Sequence, residues 1–179
     1  IEMLHEAISD LSGREIPEVS DTQIDLPVNA FIPSTWISNR DEKLEAYKNV
    51  TSCINNDEIT ELATDWVSRY GVIPSPVETL LKIMKLKLLA KKCGFEKIKT
   101  KKPNVEIETR MQTNAFNYMR HSLPANIQSK FIYVKQKENI KIIIRGLGML
   151  DLENQITNLI NWLTEMAKKV EDIINGNDE

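Results

Sequence analysis

Residue types on which metal sites and many enzymes depend are scarce in this sequence of 179 residues. It contains two histidines, His5 and His121, and two cysteines, Cys53 and Cys93. Neither histidine has a cysteine or carboxylate at metal-ligand helical spacing on a shared face, which argues against a zinc site. The two cysteines are far apart and show no framework spacing, so we expect reduced thiols in a cytosolic protein.

Motifs of phosphate binding and nucleophilic catalysis are also missing. The segment RGLGML at 145–150 contains G-x-G, but it lacks the third glycine and a following Lys-Ser/Thr pair. A bend between a strand and a helix explains it better. Paired carboxylates such as Asp41–Glu42 fall in first helical turns, where the helix dipole favours them. The sequence therefore predicts no catalytic, metal or cofactor-binding residue, and hence a chain that is not itself an enzyme.

No apolar run approaches the length of a membrane span, so we expect no membrane partner. Charge is strongly segregated along the chain. Residues 1–80 carry 5 basic and 15 acidic groups, residues 81–150 carry 16 and 4, and residues 151–179 carry 2 and 7. Such a basic middle segment could bind an acidic partner or nucleic acid, or could be neutralised within the fold.

Hydrophobic periodicity predicts a helical N-terminal half. A stripe over 2–12 predicts a helix, and because the chain opens inside it we expect a fragment boundary there. The segment TQIDLPVNAFIP is β-rich, but Pro27 restricts it to an edge strand or extended arm. A helix over about 41–54, capped by Ser38 or Asn39, should turn these side chains inward: Leu44, Tyr47, Val50 and Ile54.

Two further helices flank a rigid corner. Asn56 is expected to cap the first, whose inner face should hold Trp66, Val67 and Tyr70. Gly71, Pro74 and Pro76 then form the corner, and Ser75 and Pro76 are expected to be the N-cap and N1 residues of a helix reaching about Lys92. We expect this geometry to hold the outer side of the first helix rigidly.

The second half predicts a small antiparallel sheet of two hairpins and a long C-terminal helix, giving an α+β fold. The runs FEKIKT and VEIET form one hairpin, and KFIYV and IKIIIR form the other. Between them lies a helix near 112–122. The final helix starts near Asp151 and repeats apolar residues at spacings of four and three, which indicates either a helix packed on a sheet or a short coiled coil.

Three segments in order carry a family resemblance: IDLPVNAFIPSTWI, then RDEKLEAYKNV, then ATDWVSRYGVIPSPVETLLKIMKLKLLAKKCG. Together they resemble the C-terminal domain of the bacterial transcription-repair coupling factors. That family's pattern is an L-P-x-x-A-x-I-P arm, an R-L-x-x-Y helix, an acidic corner ending in D-R-F/Y-G-x-x-P, and a helix ending in L-G. The likeness covers essentially the whole chain, and the segment from Asp65 to Pro76 is its most specific part.

The resemblance implies a multidomain ATP-driven DNA translocase that displaces stalled RNA polymerase and recruits UvrA, the damage-recognition ATPase of excision repair, in the bacterial cytoplasm. The motor, with its ATP and Mg sites, would lie upstream, and residues 1–13 would be the tail of a linker helix from it. Residues 14–179 would form a single regulatory domain without catalysis. This domain would act as a clamp that packs on the N-terminal UvrA-binding module of the same polypeptide and hides it until the motor engages.

The resemblance also implies that acidic groups here face arginines on that module. At the corner they fall at Asp65, which matches, and at Ser68, where the family commonly has Asp. Ser68 would weaken the contact at one point or shift its load onto Asp65, Glu61 or Asp57. Asp65 and Glu61 lie four residues apart on one face and could share one arginine. Arg69 either belongs to this interface or forms an i, i+4 salt bridge with Asp65. The alternative function is a basic nucleic-acid-binding accessory domain that uses the lysines of 82–102.

Overall fold

The computed structural model describes residues 14–176, so the helix predicted over 2–12, the linker tail 1–13 and His5 lie outside it. The described chain is α+β, as predicted, and its five strands belong to one sheet. Its contacts divide it into two compact units, residues 27–88 and residues 1–26 with 89–179. The prediction of a single domain over 14–179 stays a prediction, and each unit is described by itself.

The unit 27–88 contains helices α1 (Arg40–Thr51) and α2 (Asn56–Tyr70) and most of α3 (Ser75–Lys92). Asn39 caps α1, because its side-chain oxygen accepts hydrogen bonds from the N–H groups of Asp41 and Glu42. The cap of α2 is Asn55 rather than Asn56, with its side-chain oxygen 2.9 Å from the Glu58 nitrogen. The Glu58 carboxylate in turn accepts from the Ile54 N–H, so this helix start is held from both sides.

The start of α3 is also shifted by one residue from the prediction. The N–H of Glu78 donates to the Pro74 carbonyl, so Pro74 occupies the capping position and Ser75 is the first helical residue. Pro76 still lies in the first turn, where its missing N–H costs no helical hydrogen bond.

The core of this unit is one cluster centred on Trp66. The Trp36 ring packs edge-on against Trp66 and Tyr70, with centroid distances of 5.9 and 5.4 Å. The Tyr47 hydroxyl accepts a hydrogen bond from the Ile32 N–H and so ties the extended arm to α1. The remaining buried members are Ile32, Ile37, Ala46, Val50, Ile59, Val77 and Met84.

Three residues predicted to face inward are exposed, and those predictions are wrong. Leu44 is 57% exposed, Ile54 is 76% exposed and Val67 is 49% exposed. The buried side of α1 holds Ala46 and Val50, and α1 ends at Thr51, so Ile54 lies in the loop beyond it. Val67 is one residue, or about 100°, from the buried Trp66, and in so small a unit nothing covers that side of the helix.

The other unit is built on a sheet of β1 (Gln23–Asp25), β2 (Phe95–Lys101), β3 (Asn104–Thr109), β4 (Phe131–Gln136) and β5 (Asn139–Ile144), in the order β1-β2-β3-β5-β4. Both predicted hairpins are confirmed, and β3 pairs with β5 to join them. The edge strand is confirmed as β1, but it runs parallel to β2, so the sheet is mixed rather than wholly antiparallel.

One face of the sheet is covered by helices α4 (Thr113–Arg120) and α6 (Leu152–Asn175); a short α5 (Ala125–Gln128) precedes β4. Phe116 of α4 stacks on Tyr133, and Trp162 of α6 packs edge-on against Phe131. The buried residues of α6 include Ile156, Leu159, Leu163, Met166 and Val170. The C-terminal helix therefore packs on the sheet, which decides between the two alternatives for its apolar repeat.

Candidate functional site

The corner between α2 and α3 presents the residues that the sequence singled out. Trp66 anchors α2 in the core and is 1% exposed. Gly71 ends the helix with a φ of +86°, a conformation that side-chain-bearing residues rarely adopt, while its N–H donates to the Val67 carbonyl. The Pro74 carbonyl then accepts from the N–H groups of Val77 and Glu78, which starts α3 directly. The corner is therefore defined by backbone hydrogen bonds and by residues of restricted conformation.

Glu61, Asp65 and Ser68 lie together on the exposed side of α2, as predicted. Their spacings of four and three place them on one side of the helix, away from Trp66. Within the described residues, the side chains of Glu61 and Ser68 make no hydrogen bond or ion pair. These two groups are therefore available to a partner without breaking an existing contact.

Asp65 and Arg69 form an ion pair along the same helix. The Arg69 Nη1 lies 3.5 Å from Asp65 Oδ2, and both side chains are 52% exposed. The guanidinium also lies 5.3 Å from the centre of the Tyr70 ring. Tyr70 and the hydrogen bond to Asp65 raise the pKa of Arg69, and Glu42 on α1 adds a smaller contribution. The structure thus contains the i, i+4 salt bridge that was one of the two alternatives for Arg69.

Val72 is a corner residue that sequence reasoning missed. Its side chain is 90% exposed, directly after Gly71 and outside the apolar stripes of both helices. A signal for it was present in the sequence: Val72 is an apolar residue that lies between a helix-ending glycine and a proline and belongs to neither helix. The exposed surface at the corner is therefore acidic on α2 and apolar at its tip.

The described residues provide little for catalysis or metal binding. Among residues 14–176 there is no group of three His, Cys, Asp or Glu side chains that could hold a metal ion. Burial raises the pKa of Cys93 to about 12, and its thiol donates to the Leu163 carbonyl, so it is a poor nucleophile. His121 is exposed at the end of α4. Within the same residues, no helix is long and apolar enough to span a bilayer.

The segment RGLGML is a bend between β5 and α6, as predicted. Gly146 has a φ of +78°, and a 3-10 turn follows over Leu147–Met149. Gly148 presses on the start of β3, since an added Cβ there would lie 2.3 Å from the Asn104 carbonyl oxygen. The backbone conformation at Gly146 and the close packing at Gly148 therefore explain why glycine occupies these two positions.

Part of the lysine-rich stretch 82–102 is neutralised within the fold. Glu106 is buried, with the Lys101 and Lys141 ammonium groups 3.7 and 3.5 Å from its two oxygens. Lys92 is paired with Glu171 of α6, and the pKa of that carboxyl is lowered as a result. These pairs involve two of the nine lysines of the stretch, Lys92 and Lys101.

The chain matches a family model and several characterised proteins. Residues 26–119 match the TRCF domain. The transcription-repair-coupling factor of Escherichia coli K12 is 27% identical over 177 residues, which cover 96% of this chain and 15% of that protein. The protein of the same name from Staphylococcus aureus USA300 is 31% identical over 108 residues, which cover 59% of this chain and 9% of that protein. The chain thus spans less than a sixth of the length of these relatives.

A solved structure shares the fold. It is the crystal structure of the C-terminal domain of a transcription-repair coupling factor, and it superposes with a TM-score of 0.66 at 17% identity. The superposition covers 88% of this chain and 96% of that one. Since the family model spans more than half of the sequence, this chain belongs to the transcription-repair-coupling factor family and has the fold of its C-terminal domain.

Proposed function

We propose that this chain is the regulatory C-terminal domain of a transcription-repair coupling factor and that it docks on the N-terminal UvrA-binding module of the same polypeptide. In the docked state it masks that module. The complete protein would be an ATP-driven DNA translocase of the bacterial cytoplasm, with ATP and Mg bound in an upstream motor, acting on double-stranded DNA, RNA polymerase and UvrA. Family membership supports this proposal.

The observation that carries the proposal is the acidic, rigidly held side of α2. Glu61, Asp65 and Ser68 are exposed on a helix whose opposite side is anchored by Trp66. Because this surface is already ordered, docking would cost little conformational entropy there. Arginines of the partner module could engage Glu61 directly and share Asp65, and such charge-assisted contacts strengthen when water is excluded from the interface.

Arg69 would regulate how strongly Asp65 engages its partner. In the undocked domain Arg69 already neutralises Asp65 in part, at 3.5 Å. A partner arginine must therefore displace Arg69 or share the carboxylate with it. Removing Arg69 should strengthen docking if it competes for Asp65, and should weaken docking if its guanidinium itself contacts the partner.

The test is a titration of UvrA against the full-length protein at fixed salt. Glu61→Ala with Asp65→Ala should loosen the clamp and raise the apparent affinity for UvrA by about ten- to a hundredfold, because the masked fraction no longer competes with binding. Ser68→Asp should lower that affinity, since it restores the acid expected at this position. Glu45→Ala with Glu153→Ala is the matched control, because it removes the same charge from exposed positions elsewhere.

Two results would contradict the proposal at different levels. If deleting residues 1–179 raises UvrA affinity but the Glu61/Asp65 variant does not, the domain masks the module through another surface. If the deletion has no effect, this domain does not mask UvrA binding. We also propose that the domain does not hydrolyse ATP, and turnover by the pure 179-residue chain would contradict that statement.

A further inference from the structure

Two cations face each other across the end of the sheet in the unit that contains it. The register of β4 and β5 ends with Phe131 opposite Ile144. Extending it by one residue places Lys130 opposite Arg145, just beyond the two strands. Their backbones are joined, since the Arg145 N–H donates to the Lys130 carbonyl at 2.9 Å. Phe131 and Ile144 are buried, so by strand alternation Lys130 and Arg145 share the opposite face, and both are exposed.

The neighbouring charged rows of this face each contain a carboxylate, whereas this one contains none. Along the same face, Lys99 lies opposite Glu106, and both Lys97 and Lys141 lie opposite Glu108. In the end row, the neighbour of Arg145 on β3 is the uncharged Asn104. Among the described residues neither Lys130 nor Arg145 has an ion-pair partner. Like charges placed directly opposite each other on antiparallel strands destabilise a sheet. This row therefore lowers stability without any compensating contact within the described residues.

The two cations line a depression of about 450 Å³. It is lined by Pro103, Asn104, Ser129, Lys130, Arg145 and Gly146, with no carboxylate and no aromatic ring. The Asn104 side-chain oxygen accepts from the Gly146 N–H at 3.1 Å, and Gly148 packs directly on the Asn104 backbone. The backbone of Asn104 and Gly146 in this lining is thus held in place by a hydrogen bond and by close packing.

We propose that this depression is a binding site for a phosphate group, held by the Arg145 guanidinium and the Lys130 ammonium. A guanidinium can donate two parallel hydrogen bonds to phosphate oxygens, and an ammonium adds a second point charge. A bound phosphate would neutralise the opposed cations, which would explain why the pair is tolerated. This site is separate from the acidic side of α2, and it does not depend on the function proposed above.

The phosphate has two possible sources, a phosphodiester of a nucleic-acid backbone and free inorganic phosphate. The shallow, open shape suits a polymer that passes over the surface. With no aromatic ring in the lining, such a polymer would be bound through its backbone and not through stacked bases. Binding would then be independent of sequence and strongly dependent on salt.

The first experiment is a titration of the 179-residue chain, followed by backbone amide NMR signals. Three probes are used in turn: inorganic phosphate, a 20-nucleotide single strand and a 20-base-pair duplex. We expect saturable shifts at residues 129–131 and 145–146. Shifts with the oligonucleotides identify a phosphodiester, and shifts with inorganic phosphate alone identify free phosphate as the ligand. If none of the probes shifts these signals, or if shifts occur only within residues 82–92, the proposal is overturned.

The second experiment compares variants. Lys130→Gln with Arg145→Gln should weaken phosphate or oligonucleotide binding at least fivefold, and should lower the log–log salt slope for a single strand by about 1.4, that is about 0.7 for each lost phosphate contact. Lys97→Gln with Lys135→Gln removes the same charge from other positions of the sheet and should have little effect. Equal losses in both double variants would indicate a diffuse charge effect and overturn the site.

Thermal stability separates a binding role from a structural one. If Lys130 and Arg145 are opposed for the sake of a ligand, the Lys130→Gln/Arg145→Gln variant should melt at the same or a higher temperature than the wild type in phosphate-free buffer. Adding phosphate should raise the melting temperature of the wild type and not that of the variant. A variant that melts lower than the wild type in phosphate-free buffer would show that the pair stabilises the fold, contrary to the proposal.

Discussion

The two compact units bury their apolar residues by different geometries. In residues 27–88, three helices surround one aromatic cluster in which Trp36 contacts both Trp66 and Tyr70. In the other unit, rows of aliphatic side chains such as Ile98, Ile107 and Ile142 line one face of a sheet covered by α6. Both units leave large apolar residues exposed: Phe31, Leu44, Ile54, Val67 and Val72 in the smaller helical unit, and Ile132, Met149, Leu150 and Ile174 in the described part of the other.

The comparison teaches how far local periodicity decides burial. A strand alternates strictly between two faces, so a covered sheet buries every second residue. A helix presents a continuous range of directions, and which part of its apolar stripe is buried depends on how many neighbours it has. In a small helical unit each helix has few neighbouring helices, so apolar residues at the margin of a stripe, such as Val67, remain in solvent. Such residues become available to a partner.

The largest effect expected in the helical unit comes from its central aromatic residue. Trp66→Ala should lower the free energy of unfolding by about 3–5 kcal/mol, because it removes a buried ring contacted by Trp36. Val67→Ala, one residue further along α2, should change it by about 0.5 kcal/mol or less. Urea unfolding followed by far-UV circular dichroism measures both. Similar losses for the two variants would mean that Val67 faces the core after all.

Substituting one glycine in each unit should destabilise the protein for different physical reasons. Gly148→Ala in the sheet unit should cost about 1–3 kcal/mol, because the new Cβ would meet the Asn104 backbone at 2.3 Å. Gly71→Ala in the helical unit has no atom within 4 Å of the new Cβ, so its cost of about 1–3 kcal/mol comes from the backbone alone, whose φ of +86° and ψ of −158° are essentially restricted to glycine. Asn relieves backbone strain only in the left-handed helical region, so Gly71→Asn should cost about as much as Gly71→Ala, because Gly71 has a ψ of −158°. Gly148→Asn should be worse than Gly148→Ala, because a larger side chain would meet the same backbone. A Gly148→Asn variant no less stable than Gly148→Ala would contradict the packing argument at Gly148.

Because the Cys93 thiol of the sheet unit is buried, we expect the free energy of unfolding to fall at alkaline pH. The folded-state pKa of Cys93 is raised from 9.0 to about 12 by burial, so unfolding releases a proton once the pH exceeds 9. The effect of Cys93 on the free energy of unfolding does not change with pH below pH 9. Between pH 9 and 12 it lowers that free energy by up to about 1.4 kcal/mol per pH unit. The difference in unfolding free energy between the wild type and Cys93→Ala should therefore narrow over that range. A constant difference would contradict the inferred burial of the thiol.

The smallest stability effect is expected at the acidic side of α2. Glu61→Ala with Asp65→Ala should leave the melting temperature of the 179-residue chain nearly unchanged, since both residues are exposed and their carboxylates lie away from the core. Together with a large effect on UvrA binding in the complete protein, this result would assign these residues to docking. A marked drop in melting temperature would instead assign them to the stability of the helical unit.

Local sequence signals predicted most of the elements. Asn39 marks the start of α1, and the alternating runs predicted four of the five strands as hairpins. The apolar repeat of α6 contains five of the seven buried residues of that helix, namely Ile156, Leu159, Leu163, Met166 and Val170. The exposed side of α2 with Glu61, Asp65 and Ser68 was also predicted, because burial of Trp66 determines which residues point away from it. The caps of α2 and α3 were each displaced by one residue, since neighbouring Asn, Ser and Pro residues offer competing helix starts.

The sequence by itself determined the order and kind of the elements, the α+β class and the position of the corner, because these follow from contacts between residues close in the chain. Tertiary structure decided the rest. It joined the two hairpins through β3 and β5, added β1 as a parallel edge strand and exposed Leu44. It also placed Lys130 opposite Arg145, fifteen residues further along the chain. Such pairings depend on strand register and on long-range packing, about which local periodicity carries no information.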